Sequence, residues 1–184
     1  MPGREDEEML DHASVLRLDP DPEWSIRRMT YDTEAPNGVL VSQDQRTLYV
    51  AETPRHGNRR ELRAYPINDD GTLGSYRVLH TFGIDEQGPQ RGVNGMCLDV
   101  DGNIVACAGW SDGGPGPMIY VFSPTGRVLE THPTPVDDPT NCTFGDADLR
   151  TLYITTGTHS SPDGYLYRVR NTGRQGWMIY PSAH

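Results

Sequence analysis

One pattern recurs three times along the chain. In Pro36–Glu52, Val93–Gly109 and Thr140–Gly157 an asparagine is followed by a short apolar strand, an Asp-containing turn and a second strand. The three asparagines, Asn37, Asn94 and Asn141, stand roughly fifty residues apart, the length of one four-stranded propeller blade. Each unit leads into a second hairpin. These are Glu61–Ile67 with Ser75–Phe82, Met118–Phe122 with Arg127–Thr131, and Gly164–Val169 with Trp177–Tyr180. The intervening Asp69–Gly71, Pro124–Gly126 and Asn171–Gly173 have the residue types that reverse a chain. Asp101-Gly102 predicts a type I′ hairpin turn, in which both central residues take positive φ.

Ahead of the first full unit, Ser14–Asp19 and Ser25–Thr30 form one more hairpin pattern joined through Asp19–Pro22, with no inner pair before it. With strands lettered a to d from the axis outward, the order reads cd, abcd, abcd, abcd. The predicted fold is therefore all-β, a partial β-propeller of about three and a half four-stranded blades. An acidic leader over 1–12 is expected to be loop or disordered. Residues 13–184 form the propeller domain, with a half blade over 13–31 and blades over 36–82, 93–131 and 140–180. Composition agrees, because 20 Gly and 15 Pro in 184 residues suit many short strands joined by tight turns. A ring of this size does not close, so its first and last sheets each present an open face. Several hundred Å² of wet apolar surface costs about 10 kcal/mol, and a two-fold homodimer is the expected cover. The alternative is an open, marginally stable fragment.

A net charge of −10 and a pI of about 4.9 oppose binding to phosphate backbones or anionic lipid, which excludes nucleic acid and membrane surface as partners. The N-terminal residues lack an apolar signal-like core, so the expected location is cytoplasmic. Cys97, Cys107 and Cys142 lack metal-ligand spacing and lie in apolar, strand-like surroundings, which predicts buried free thiols. His80 and His132 fall near the ends of d strands and His56 and His159 in loops, so surface or edge positions are expected for them. Asp112–Pro117 lacks the Lys-Ser/Thr ending of a phosphate loop and is expected as a b–c connection. No Gly-x-Ser-x-Gly elbow occurs, which removes nucleophilic-serine hydrolysis. Asn141-Cys-Thr143 has the glycosylation pattern but falls on an inner strand.

The wording of the repeats carries a resemblance. Asn37-Gly38 followed by Thr47–Ala51, the run Asn94–Asn103, and Pro139–Ile154 are similar to the gluconolactonase / senescence-marker-protein (regucalcin) / luciferin-regenerating-enzyme superfamily. The likeness covers about Ser14 to Tyr180 and corresponds to the C-terminal part of that family's six-bladed propeller. It implies a truncated relative of metal-dependent lactonases that hydrolyse a sugar-type lactone, with Ca²⁺ or Zn²⁺ at the top of the central tunnel. By the resemblance, Asn37 matches the family's Asn metal ligand, and Asn94 stands where the family's Asp ligand and base is usual. Asn141 opens the next blade, where it would line the pocket. The family's Glu ligand has no counterpart here.

The residues themselves leave a second reading open. An asparagine ahead of a strand readily bonds its own backbone, so the threefold recurrence serves turn geometry equally well. An amide cannot act as a general base, and neutral oxygens hold hard cations weakly. The rival expectation is a catalytically inactive propeller that binds a ligand or assembles with itself.

Overall fold

A computed structural model describes residues 12–20, 23–54, 59–135, 137–157 and 163–178. Every regular element in them is a β-strand. β1 (Leu16–Asp19) and β2 (Ser25–Arg28) form an antiparallel hairpin. The second sheet runs in chain order through β3 (Pro36–Val41), β4 (Thr47–Glu52), β5 (Arg60–Pro66) and β6 (Arg77–Phe82). A two-stranded ribbon, β7 (Ile84–Asp85) with β8 (Gly88–Pro89), precedes the third sheet. That sheet is β9 (Val93–Leu98), β10 (Ile104–Trp110), β11 (Gly113–Phe122) and β12 (Val128–Pro133). The last sheet has β13 (Pro139–Gly145), β14 (Thr151–Thr156) and β15 (Tyr165–Val169). The molecule is thus a partial propeller of antiparallel meanders, and the first strands of neighbouring sheets, β3, β9 and β13, pack side by side.

The period-2 alternation of a strand explains how the sheets stack. Along β10, Ile104, Ala106 and Ala108 face the second sheet, where they meet Tyr49, Ala51, Leu62 and Phe82. Val105 and Cys107 of the same strand face the last sheet, against Cys142, Phe144, Leu152 and Ile154. A strand covered on both faces cannot alternate in polarity, which is why Ile104–Gly109 is apolar throughout. Phe82 meets Tyr120 edge-on at 5.8 Å, and Tyr120 stacks on Phe122 at 5.5 Å, so rings from two sheets interlock.

Five hairpins share one turn. In Ser42–Gln45, Asn68–Gly71, Asp99–Gly102, Ser123–Gly126 and Asp146–Leu149 the fourth amide donates to the first carbonyl, at 2.8–3.2 Å. The fourth residue is left-handed each time, including the non-glycines Gln45 (φ 58°) and Leu149 (φ 54°). This is a type I turn followed by a bulge residue, not the type I′ turn expected at Asp101-Gly102, because Gly102 alone of that pair has positive φ. Asp99 decides the outcome: its Oδ1 accepts from the amides of Asp101 at 3.0 Å and Asn103 at 2.8 Å.

Three further expectations change. Gly113–Pro117 is not a loop but the first half of β11, entered by a tight turn that pairs Trp110 with Gly113. The last sheet shows three strands among the described residues. The segment expected as its outer strand crosses away: Val100 N donates to Gln175 O at 2.9 Å and Trp177 N to Leu98 O at 3.0 Å. Ile179 and Tyr180 lie outside the described residues. Arg174 causes the crossing, since its guanidinium bridges the buried Asp99, at 2.6 Å, and Glu130. The two open faces also differ in chemistry. β1 and β2 expose Leu16, Leu18 and Ile26 by 39, 56 and 43%. The outward side of the last sheet instead pairs Tyr153 with Arg168 and Thr155 with Leu166, a mostly polar surface. Only the first of the expected apolar faces is apolar.

The thiols are free as expected, with Cys107 and Cys142 buried and Cys97 half-buried. Cys97 and Cys142, on neighbouring inner strands, bring their sulfurs to 3.8 Å.

A Cβ on Gly38 would penetrate the carbonyl oxygen of Asn94 in the next sheet. Gly38→Ala is expected to destabilise the fold by about 2 kcal/mol through this backbone overlap, read as a lowered urea midpoint with unchanged slope.

Candidate functional site

The site residues expected from sequence all fall on the inner strands, and the register there is irregular in the same way three times. Pro36 pairs with Glu52, but Val39 pairs with Val50. Val93 pairs with Ala108, but Met96 with Ala106. Pro139 pairs with Thr156, but Asn141 with Thr155. Each inner strand therefore carries one extra residue, a bulge, at the end where its asparagine stands.

This register shows which residues are equivalent. Asn37 and Asn94 occupy the first bulge position, and Gly38 and Gly95 the second. In β13 the first position is Thr140, and Asn141 stands where the other strands have glycine. The packing agrees: the glycines allow close approach, since a Cβ on Gly95 would lie 2.7 Å from the Thr140 carbonyl oxygen, as one on Gly38 would meet that of Asn94. The trio on neighbouring strands is thus Asn37, Asn94 and Thr140.

Their partners separate them further. Asn141 is exposed, and its Oδ1 accepts from the amide of Cys142 at 2.9 Å, the local backbone bond anticipated for such asparagines. The Thr140 hydroxyl pairs with that of Thr155 at 2.8 Å. Among the described residues the side-chain amides of Asn37 (exposed) and Asn94 (half-buried) have no hydrogen-bond partner. Two unengaged amides on adjacent strands can donate to a carbonyl oxygen and accept from hydroxyl groups.

The carboxylates at this end make bonds to the framework, with Glu52 Oε2 left buried and, among the described residues, without a hydrogen-bond partner. Glu52 is buried, and its Oε1 accepts from the amides of Glu34 at 2.9 Å and Ala35 at 2.7 Å, while Oε2 faces Arg63 at 3.8 Å. Glu61 pairs with Arg63 at 2.8 Å. Asp138 pairs with Arg91, and Asp137 accepts from the amide and hydroxyl of Ser111 at 2.9 and 2.7 Å. Among the described residues no three His, Cys, Asp or Glu side chains gather as metal ligands would. Sequence reasoning missed Thr140, Glu52, Arg60 and Arg91. The one-residue bulge offset hid Thr140, and the charged residues sit in strand contexts without a motif.

Of the histidines, His56 and His159 lie outside the described residues. His132 is exposed and contacts Glu130 at 2.9 Å. His80 stands on the edge strand β6, as expected, but is half-buried: its ring lies 4.7 Å from Phe82 and 5.2 Å from Phe122, and burial lowers its pKa.

Comparison with known proteins adds to this geometry. The family pattern described as SMP-30/Gluconolactonase/LRE-like region matches residues 1–158. The 6-deoxy-6-sulfogluconolactonase of Pseudomonas putida is 35% identical over 146 residues, covering 78% of this chain and 45% of that protein. The regucalcin of Gallus gallus is 27% identical over 173 residues, covering 88% of this chain and 54% of that protein. A solved gluconolactonase of Xanthomonas campestris superposes with a TM-score of 0.64 at 33% identity, over 86% of this chain and 45% of that one. The chain spans about half the length of the curated relatives it matches.

His80 gives the interface between the second and third sheets a pH dependence. Its folded pKa is below its ordinary value, so above that ordinary value, about 6.5, the group contributes no difference between folded and unfolded chains. As pH falls below it the unfolded chain takes up the proton first, and stability drops until the folded pKa is passed. The melting temperature is expected to fall as pH is lowered from 7 to 5, and His80→Gln should reduce that slope in a calorimetric series.

Proposed function

The chain belongs to the SMP-30/gluconolactonase/LRE-like family, and from that premise we propose that it acts as a lactonase-like hydrolase on a sugar-type lactone at the bulged end of β3, β9 and β13. The observation that carries this reading is the pair of unengaged amides, Asn37 and Asn94, at equivalent positions of adjacent strands. The similarity to a sulfogluconolactonase and to a gluconolactonase supports the substrate class.

Lactone opening needs a water that attacks the ring carbonyl, charge stabilisation on the carbonyl oxygen, and a proton for the departing ring oxygen. The amide N–H groups of Asn37 and Asn94 can hold the developing oxyanion, and their oxygens can orient sugar hydroxyls. Neither can take the proton from water, so Asn94 positions the lactone; the attacking water gives its proton to a second water, and the departing ring oxygen takes its proton from solvent.

Metal dependence meets a poor donor set. Asn37 and Asn94 would supply a Ca²⁺ or Zn²⁺ ion with two neutral oxygens, whereas such ions gain affinity from charged ligands. Glu52 is buried with Oε1 held by two backbone amides, Asp138 pairs with Arg91, and no three acidic, His or Cys side chains gather, so the described residues do not fit the ion on their own.

That misfit favours a second reading, an inactive propeller that binds a ligand or a second copy of itself. The apolar face of Leu16, Leu18 and Ile26 is the surface a two-fold dimer would bury. Light scattering would then give twice the 20.5 kDa of the chain.

A pH-stat assay on glucono-δ-lactone separates the readings. Under the lactonase reading the wild-type rate exceeds the blank and falls on Asn37→Ala. Asn94→Asp, which restores a carboxylate able to accept a proton, should raise it by about a hundredfold. Wild-type and Asn94→Asp rates equal to the blank would leave the inactive reading.

A further inference from the structure

Among the described residues Arg60 is a buried guanidinium without an anion. It opens β5 at the same end as Asn37 and Asn94, and the residue is only 7% exposed. Its Nη1 donates to the carbonyl of Gln90 at 2.6 Å, and its guanidinium carbon stands 5.3 Å over the ring of Trp110. Nε is buried and has no acceptor. Among the described residues no hydrogen bond involves Nη2, and no carboxylate pairs with the group. Burial acts alone on its pKa, lowering it, with no opposing anion.

The surroundings make this unusual. Arginine is almost never buried unless paired, because removing its charge from water is costly. The chain has 26 acidic residues to choose from. Those nearby serve others: Asp138 pairs with Arg91, and Asp137 holds Ser111. Arg91 is itself close enough for Arg60 to oppose its charge, but Asp138 and Asp137 offset Arg91, which leaves Arg60 as the guanidinium without a counter-charge of its own.

The backbone of Arg60 lies against the strand that carries Asn94, and its guanidinium extends toward Gln90 and Trp110 at the same end of the sheets. A Cβ on Gly92 would sit 3.2 Å from the Cβ of Arg60, and Gly92 precedes Asn94 by two residues on entry to β9. Nε and Nη2, the two unused donors, share one edge of the guanidinium. That edge is the fork that takes two oxygens of a carboxylate, phosphate or sulfonate at once.

We propose that Arg60 is a specificity-determining residue that receives an anionic oxyacid group carried by the lactone, so that the preferred substrates are anionic rather than neutral sugar lactones. The assignment rests on the lactonase reading for the word lactone, but not for the anion site itself. In this arrangement Asn37 and Asn94 face the ring while Arg60 neutralises the substituent. The bound anion supplies the counter-charge that the fold omits.

Two measurements on the full chain test it. In the first, hydrolysis of 6-phosphoglucono-δ-lactone is compared with that of glucono-δ-lactone for wild type, Arg60→Lys and Arg60→Met. The wild type should favour the phosphorylated lactone by about tenfold or more in kcat/KM, the worth of a charged hydrogen bond. Arg60→Met should abolish the preference, and Arg60→Lys should keep part of it. Equal wild-type rates on the two lactones would overturn the proposal. In the second, thermal shifts with 6-phosphogluconate and with the neutral polyol sorbitol need no turnover, so they decide the matter if neither lactone is hydrolysed. Selective stabilisation of the wild type by 6-phosphogluconate, weakened in Arg60→Lys, supports the anion site even where the lactonase reading fails. Equal or absent shifts in the wild type, or an undiminished selective shift in Arg60→Lys, overturn it.

Discussion

Backbone meets backbone where the inner strands of neighbouring sheets pass each other, and this contact sets everything further out. Gly38 lies against the carbonyl of Asn94, and Gly95 against that of Thr140. A side chain at either glycine would wedge the sheets apart at the axis, where they are closest. The bulge beside each glycine follows from the same constraint, since an extra residue re-aims the strand at the rim. It also leaves Asn37, Asn94 and Thr140 in equivalent places on adjacent strands. Fold and candidate site therefore share one local cause.

From that axis the sheets fan out and bury one another unequally. The third sheet is covered on both faces, by the second sheet through Ile104, Ala106 and Phe122 and by the last through Val105, Cys107 and Ile119. The end units have one neighbour each. The first hairpin reaches the second sheet through few contacts, among them Arg17 to the Gly71 carbonyl at 2.9 Å. At the other end Arg174 and Trp177 close against the third sheet. Stability on this account is greatest in the middle and declines outward.

Much of this was legible in the sequence because repetition is a strong signal. The three Asn-led hairpins and their outer partners gave the all-β partial propeller directly, with the strand order of the second and third sheets. What stayed hidden has physical reasons. Asn141 looks like Asn37 in sequence, yet a one-residue bulge offset hands its place to Thr140, and spacing alone does not show a bulge. Asp101-Gly102 looks like a type I′ turn, but the carboxylate of Asp99 bonds two later amides and selects the other turn. The crossing of 175–177 depends on one guanidinium finding Asp99 and Glu130, a tertiary event with no local trace. Arg60 gave no signal either, since a buried unpaired charge is recognised only when its neighbours are known.

The chemistry that results is lopsided. The rim offers amides and a guanidinium, groups that hold oxygen-rich and anionic ligands, while its carboxylates are mostly buried or bonded to the framework. All of it presupposes sheets stacked face to face around the inner strands, with the third sheet enclosed. Native-state amide hydrogen exchange read residue by residue tests that most directly. The slowest amides should be those of β10, with β4 next and β1 and β2 fastest. Protection in β1 and β2 equal to that of β10, or rapid exchange along Ile104–Ala108, would contradict the enclosed stack.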